Sequence, residues 1–280
     1  KVQETVDTGI RRKYNDTCAE WCGRLAQLGE RLPYKQDVGG SIPSSPTNPA
    51  SAGFFALIGE VKMKLDTRLS ALSDILDPGH TVADIGADHG YLLANLLTES
   101  LFQRAIGVEL NKGPFESALE TVRAENLEDR AEIRLGNGLL PLKPGEADAV
   151  VVAGMGGTTI CGILQEGKDR LRGVSQLVLS PQSAHGRVRS CLQELGFSIR
   201  QETLVRMDRL YLIIRAVPGQ DPPYTWGELE AGPVLIRERP PLFCEYIREM
   251  TQERRRILES LKEARRPVEN RTARLQEEIS

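Results

Sequence analysis

Leu65, Leu69, Leu72, Ile75 and Leu76 recur at helical spacing, which predicts an amphipathic helix over 64–76 that Pro78-Gly79 brings to an end. Beyond it the period keeps switching. Short apolar and β-branched runs predict strands at Thr81–Ile85, Arg104–Val108, Ala131–Leu135, Ala147–Ala153 and Gln176–Leu179. Interleaved helices are predicted at Tyr91–Thr98, Pro114–Glu125, Thr158–Glu166 and Gly186–Leu195, the second opening on a proline, which a first helical turn accepts. Phe197–Arg206 and Leu210–Val217 then read as strands with only Met207-Asp208-Arg209 between them. Alternation of this kind means βαβ units and a parallel sheet, a Rossmann-like α/β fold. The last two strands, joined by a tight turn, mean an antiparallel hairpin at the sheet's edge.

The flanks differ from this core, which spans 63–218. Residues 219–240 are rich in proline and glycine and read as a linker. Residues 241–280 are highly charged, with Phe243, Ile247, Met250, Ile257, Leu258 and Leu261 at roughly helical spacing, and Pro267 divides them. They read as an antiparallel helix pair, a small coiled coil. Residues 1–62 hold no sustained period, and Gly39–Pro46 is turn chemistry throughout. Back-translation of Leu25–Arg31, Pro33–Lys35 and Gly40–Pro43 permits, in one frame and at tRNA-gene spacing, a D-arm, an anticodon loop and a T-arm. Gly59-Glu60-Val61 permits a ribosome-binding site just ahead of Met63. The expectation is that residues 1–62 derive from upstream DNA and that the natural start is Met63; a disordered arm is the alternative. That neighbouring tRNA sequence says nothing about a substrate.

Composition narrows the class. Of 280 residues, 40% are hydrophobic and 27% charged, as in ordinary globular proteins, and the net charge of −3 argues against a strongly basic nucleic-acid binder while leaving room for a local basic patch. No apolar run approaches the ~18 residues of a membrane span, so no membrane partner is expected. Cys18, Cys22, Cys161, Cys191 and Cys244 show no paired metal-ligand spacing, so reduced thiols in a metal-free cytoplasmic protein are expected.

The chemistry collects at strand ends. Val82–Tyr91 runs from a strand through a glycine turn into a helix, and Gly86 lets the chain turn sharply with a ligand against it. The free N–H groups of the following helix suit a carboxylate. The spacing is Gly-x-x-x-Gly, not the Gly-x-Gly-x-x-Gly that seats a pyrophosphate. Asp84 and Asp88 add negative charge that suits a ligand with an amino group and a sulfonium and repels a diphosphate. Glu109 ends the next strand, where a carboxylate can accept from both hydroxyls of a ribose. Asn137, between Gly136 and Gly138, can meet an adenine edge; Ala153-Gly154-Met155-Gly156-Gly157 leaves space beside a reacting group; Ser180-Pro181-Gln182 ends the fifth strand.

Together, Ala83–His89, Glu109 with Gly113-Pro114-Phe115, Gly136-Asn137-Gly138, Ala153–Gly157 and Ser180-Pro181-Gln182 resemble the bacterial tRNA (adenine-22-N1)-methyltransferase family (TrmK) over about residues 63–280. The resemblance implies a seven-stranded sheet with the last strand inserted antiparallel, S-adenosyl-L-methionine as cofactor, and methylation of an adenine N1 in tRNA. It implies cofactor contacts at Asp84, Gly86, Asp88, Glu109, Asn137, Gly138 and Gly154. Asn137 stands where the family often carries Asp, and Gln182 where it carries Asn.

Adenine N1 has an in-plane lone pair and the sulfonium is an activated donor, so alignment and electrostatics can suffice without a general base. The base must be drawn out of its stack. Asp88, His89 and Tyr91, at the mouth of the first loop, are the candidates to receive it and to stabilise charge on the ring. Arg68, Asn111, Gln182, Arg254 and Arg255 are candidate tRNA contacts, with Arg187, Arg189, Arg256 and Arg265-Arg266 as further phosphate ligands. A monomer is expected. The same cofactor with another RNA or a small molecule, and a non-catalytic cofactor-sensing RNA-binding protein, stay open as alternatives.

Overall fold

The computed structural model describes residues 65–256 with 259 and 260. The expected upstream origin of 1–62, the second helix of the 241–280 pair and Arg265-Arg266 lie outside the described residues.

In chain order the elements are α1 (Thr67–Asp74), β1 (Gly79–Ile85), α2 (Tyr91–Thr98), β2 (Phe102–Glu109), α3 (Lys112–Ala124), β3 (Ala131–Leu135), β4 (Ala149–Met155) and α4 (Gly157–Glu166). A 3₁₀ turn at Lys168–Leu171 leads to β5 (Gln176–Pro181), α5 (His185–Glu194), β6 (Phe197–Arg206), β7 (Leu210–Pro218), α6 (Trp226–Ala231) and α7 (Pro233–Glu238). A further helix, α8, covers residues 243–256. The strands form one sheet of seven in the order β3-β2-β1-β4-β5-β7-β6. The first five are parallel, and β7 is inserted antiparallel between β5 and β6. This is the Rossmann-like methyltransferase arrangement that the sequence pattern and its resemblance imply.

Strand periodicity builds a core on each face. In β4, Ala149 and Val151 face one core while Val150 and Val152 face the other. The first core is closed by α1, α2 and α3 through Leu72, Leu93, Leu97, Ala118 and Val122. The second is closed by α4, α5, α7 and α8 through Ile160, Leu164, Leu192, Leu235, Phe243 and Ile247. Strand order reverses between β1 and β4, so the connections leaving those two strands part and open a crevice at their carboxyl ends.

Element boundaries move where pairing extends them. β1 begins at Gly79 because Gly79 pairs with Phe102 of β2, and β4 continues to Met155, opposite Pro181, past a bulge. The segment 219–240 is corrected from a linker to two short helices. Thr225 and Glu228 form a reciprocal capping box at the start of α6, and Val234 and Leu235 of α7 are buried. What fixes α7 is a charge inside the protein. The Glu202 carboxylate accepts from the N–H groups of Val234 (2.9 Å) and Leu235 (3.2 Å) at the helix's start. It also pairs with Arg189 Nε at 2.7 Å, and neither side chain is exposed. Arg189 in turn donates to the carbonyls of Leu229 (2.6 Å) and Glu230 (3.0 Å). The phosphate ligand expected at Arg189 is therefore corrected: this residue is an internal clamp with no face to RNA.

Removing one member of a buried pair strands the other. Glu202→Ala should lower stability by about 3–5 kcal/mol in urea titration, and Arg189→Met in that background should recover part of the loss. A cost below about 1 kcal/mol would show that the pair is dispensable.

Candidate active site

Three strand ends make the crevice. At the end of β1 the chain turns through Gly86, whose φ of +79° a side chain would resist. The Gly86 N–H donates to Val108 O (2.8 Å), and the Asp88 N–H donates to the Glu109 carboxylate, so the first loop is laced to the end of β2. Glu109 is 7% exposed and faces into the crevice loop. The Gly136 N–H donates to Glu109 O at 2.7 Å, bringing the third loop alongside. Gly154, at φ +80°, turns β4 away, and the Arg68 guanidinium of α1 lies 3.5 Å from where a Cβ at Gly154 would stand. Arg68 gets there because Asp66 caps α1, accepting from the Leu69 N–H at 2.7 Å, and α1 packs on the β6–β7 hairpin.

Asp84 sits beneath these loops, 5% exposed. Burial first, then the nearby Glu109 carboxylate, holds its carboxyl up at about 7, against the opposing pull of Arg68. Asp88 is exposed, and its φ of +51° is left-handed. His89 and Tyr91 stack at 5.4 Å with rings 16° apart. Tyr91 is 44% exposed at the start of α2, so the two rings form an open aromatic shelf at the mouth.

Asp84, Gly86, Asp88, Glu109, Gly154, Arg68, His89 and Tyr91 thus come together. Gly138, at the start of the next crossover, packs on Ile163, and Asn137 beside it donates to Glu166 of α4 at a long 3.4 Å. Asn111 caps α3 from an extended backbone without spending its side chain on the cap. Gln182 is exposed and its N–H donates to Met155 O (2.9 Å), tying the β5 loop to the β4 turn. Arg254 stands apart on α8, ion-paired with Glu230 and 5.6 Å from the Trp226 ring; Arg255, next to it, is exposed.

Several residues at the crevice escape sequence reading. Leu110, directly after Glu109, is 63% exposed; an apolar residue held in the open at the crevice could take the flat face of an aromatic ring. His185 opens α5, where its Nδ1 and the Tyr246 hydroxyl of α8 are 2.8 Å apart. Burial chiefly, with Arg189 next, pushes its imidazole down to about 4. Tyr211, at the start of β7, lies under Arg68 and Arg209. The signal for Leu110 was its position after Glu109; for His185 and Tyr211, far along the chain, there was none.

A model of the family described as tRNA (adenine(22)-N(1))-methyltransferase, TrmK, matches residues 82–280. The chain belongs to this family. It is 32% identical over 216 residues to the tRNA (adenine(22)-N(1))-methyltransferase of Bacillus subtilis, covering 75% of this chain and 91% of that protein. The crystal structure of the B. subtilis M1A22 tRNA methyltransferase TrmK superposes with a TM-score of 0.67 at 31% identity, over 72% of this chain and 88% of that one. A Streptococcus pneumoniae protein crystallised in complex with S-adenosyl-L-methionine is similar at a TM-score of 0.65 and 30% identity, over 68% of this chain and 89% of its own. Among the described residues of this TrmK-family chain, no helix is long and apolar enough to cross a membrane, and no group of three or more His, Cys, Asp or Glu could hold a metal ion.

The raised Asp84 carboxyl gives a pH signature. From about 4 to about 7 the folded protein keeps a proton that the unfolded chain releases, so this group's contribution to stability falls as pH rises through that window and is level above it. Asp84→Asn removes the titration. The melting temperature of the variant relative to wild type should therefore climb between about pH 5 and 7 and then level off; parallel curves would remove the assignment.

Proposed function

We propose that this chain methylates N1 of adenine 22 in tRNA with S-adenosyl-L-methionine as donor. One observation carries the reading: in a chain of the TrmK family, the acid at the end of β2 is buried and laced to the Gly86 turn, as a ribose ligand needs to be.

The described residues fit that cofactor. Glu109 has one oxygen turned to the Asp88 N–H and a second left for hydroxyls. Leu110 offers an apolar face for adenine, with Asn137 and Gly138 at its edge. Gly86 leaves its turn bare for the amino-acid portion, where Asp84 and Asp88 supply negative charge for an ammonium and a sulfonium. Bound there, the cofactor supplies an electrophilic methyl group. The protein's remaining work is to bind, orient and exclude water. The His89–Tyr91 shelf gives an extracted adenine a stacking partner, and Asp88 at its rim favours positive charge growing on the methylated ring. Gly154 and the Gly156-Gly157 turn leave room beside the methyl. Asn111, Gln182 and Arg68 border the opening as tRNA contacts. Arg254 and Arg255 extend a basic surface along α8, although Glu230 already neutralises Arg254. The enzyme acts as a monomer without metal, since a sulfonium needs no Lewis acid to leave.

The deciding assay is transfer of labelled methyl to a tRNA transcript carrying adenine 22, with 1-methyladenosine as product and none formed when that adenine is replaced by guanine. Glu109→Gln keeps the side chain's size but removes its charge, so cofactor affinity by calorimetry should fall about 100-fold, the value of one or two charge-assisted hydrogen bonds. Labelled product at another position, or undiminished affinity in the variant, would sink the reading. For the aromatic shelf, His89→Ala and Tyr91→Ala should lower turnover about tenfold or more while cofactor affinity stays within about twofold; equal turnover would leave the shelf without a role.

A further inference from the structure

Resting on the reading of this chain as an RNA methyltransferase, we infer that Arg68 and Arg209, gathered on the single ring of Tyr211, form a seat for a phosphodiester of the RNA strand next to the methylated nucleotide. The Arg209 guanidinium carbon lies 4.8 Å from the Tyr211 ring centroid and that of Arg68 lies 5.4 Å from it. The two cations come from distant parts of the sequence, α1 and the β6–β7 turn. Like charges converging on one ring repel, and a cation–π contact is a weak attraction at an exposed site. Neither guanidinium is ion-paired to a carboxylate among the described residues. Asp208, beside Arg209, accepts a hydrogen bond from the Tyr211 hydroxyl at 3.0 Å. Asp84, whose carboxyl Arg68 attracts, is buried, and the nearby Glu109 carboxylate repels its charge. An anion arriving from solvent would relieve this crowding.

The place decides which anion. β7 runs antiparallel to β5, so its first residues stand beyond the carboxyl end of the parallel strands, over the crevice. Arg68 reaches to the Gly154 turn. Arg209 lies on the His185 side, close enough to depress the proton affinity of that imidazole. The pair thus straddles the substrate side of the crevice, away from Glu109 and Leu110. A nucleotide swung out of its stack pivots on its own phosphates, and phosphate contacts set position while base contacts set identity. Guanidinium forks suit a phosphodiester, and Tyr211 holds the pair at fixed spacing.

Arg209 is the discriminating position because it is exposed and lies outside the cofactor loops. With an unmodified tRNA transcript as probe, Arg209→Ala should raise KM about 5- to 20-fold and reduce the slope of log affinity against log salt by about one. Arg209→Lys should restore most of the slope and only part of the KM, since a point charge lacks the fork. Cofactor affinity, by calorimetry, should stay within about twofold in both. If wild type methylates the transcript and Arg209→Ala matches its KM and salt slope, the seat is overturned. It is equally overturned if Arg209→Ala loses cofactor affinity in parallel, since the residue would then be structural. A wild-type protein that binds the cofactor but leaves the transcript unmethylated would instead overturn the underlying reading, and the seat with it.

Discussion

The lacing of the Gly86 loop to the end of β2 is the constraint on which the crevice depends. Five parallel strands deliver their loops to one edge of the sheet, and reversal of strand order beside β1 parts the loops there. An open edge of this kind would be wet and loose without a tie. Val108 O and the Glu109 carboxylate provide it by accepting from Gly86 and Asp88. The acid thereby shapes the loop, and in the proposed function it also holds the cofactor's ribose. Burial of Glu109 and Asp84 side by side is costly, Arg68 opposes only part of that cost, and a cationic ligand would relieve more of it. That is a physical reason for the two acids to stand where the sequence places them.

The second half of the molecule depends on another pair of charges. Arg189 and Glu202 close α5 against β6, and through the amides of Val234 and Leu235 they fasten the segment after the sheet. Tyr246 of α8 faces the same arginine and reaches His185 at the start of α5. His185 follows the Ser183-Ala184 turn, whose carbonyls lie against Gly157. A line of polar contacts therefore runs from α8 to the β4–β5 side of the crevice.

Much of this was legible in the sequence because the signals are local. Apolar runs bounded by glycine mark β1, β4 and β5, and Gly86 and Glu109 announce themselves by where they fall relative to strand ends. Most of the mistaken or missing parts involve distance along the chain. Nothing in the sequence separates Arg189, with no exposed side-chain surface, from Arg187 two residues before it, because the partner that draws it inward lies on the next strand. The proline and glycine of 219–240 signalled a linker, but the capping box at Thr225 and the Glu202 carboxylate at α7 outweigh that composition. Sequence reading also gives no sign that Asn137 has Glu166 of α4 within a long 3.4 Å. Tyr211 and Arg209 read as strand and turn residues until the antiparallel insertion of β7 carries them over the crevice.

That insertion has an evolutionary corollary. The register of β5, β6 and β7 is set by pairings well inside the sheet, and Met207-Asp208-Arg209 projects past the last of them. Residues can be added to or exchanged in that turn without disturbing a single ladder bond or any loop that would hold the cofactor. Selection for a different RNA shape can therefore act on the hairpin tip alone, leaving methyl-donor chemistry untouched, and the divergence among descendants of this fold should concentrate there.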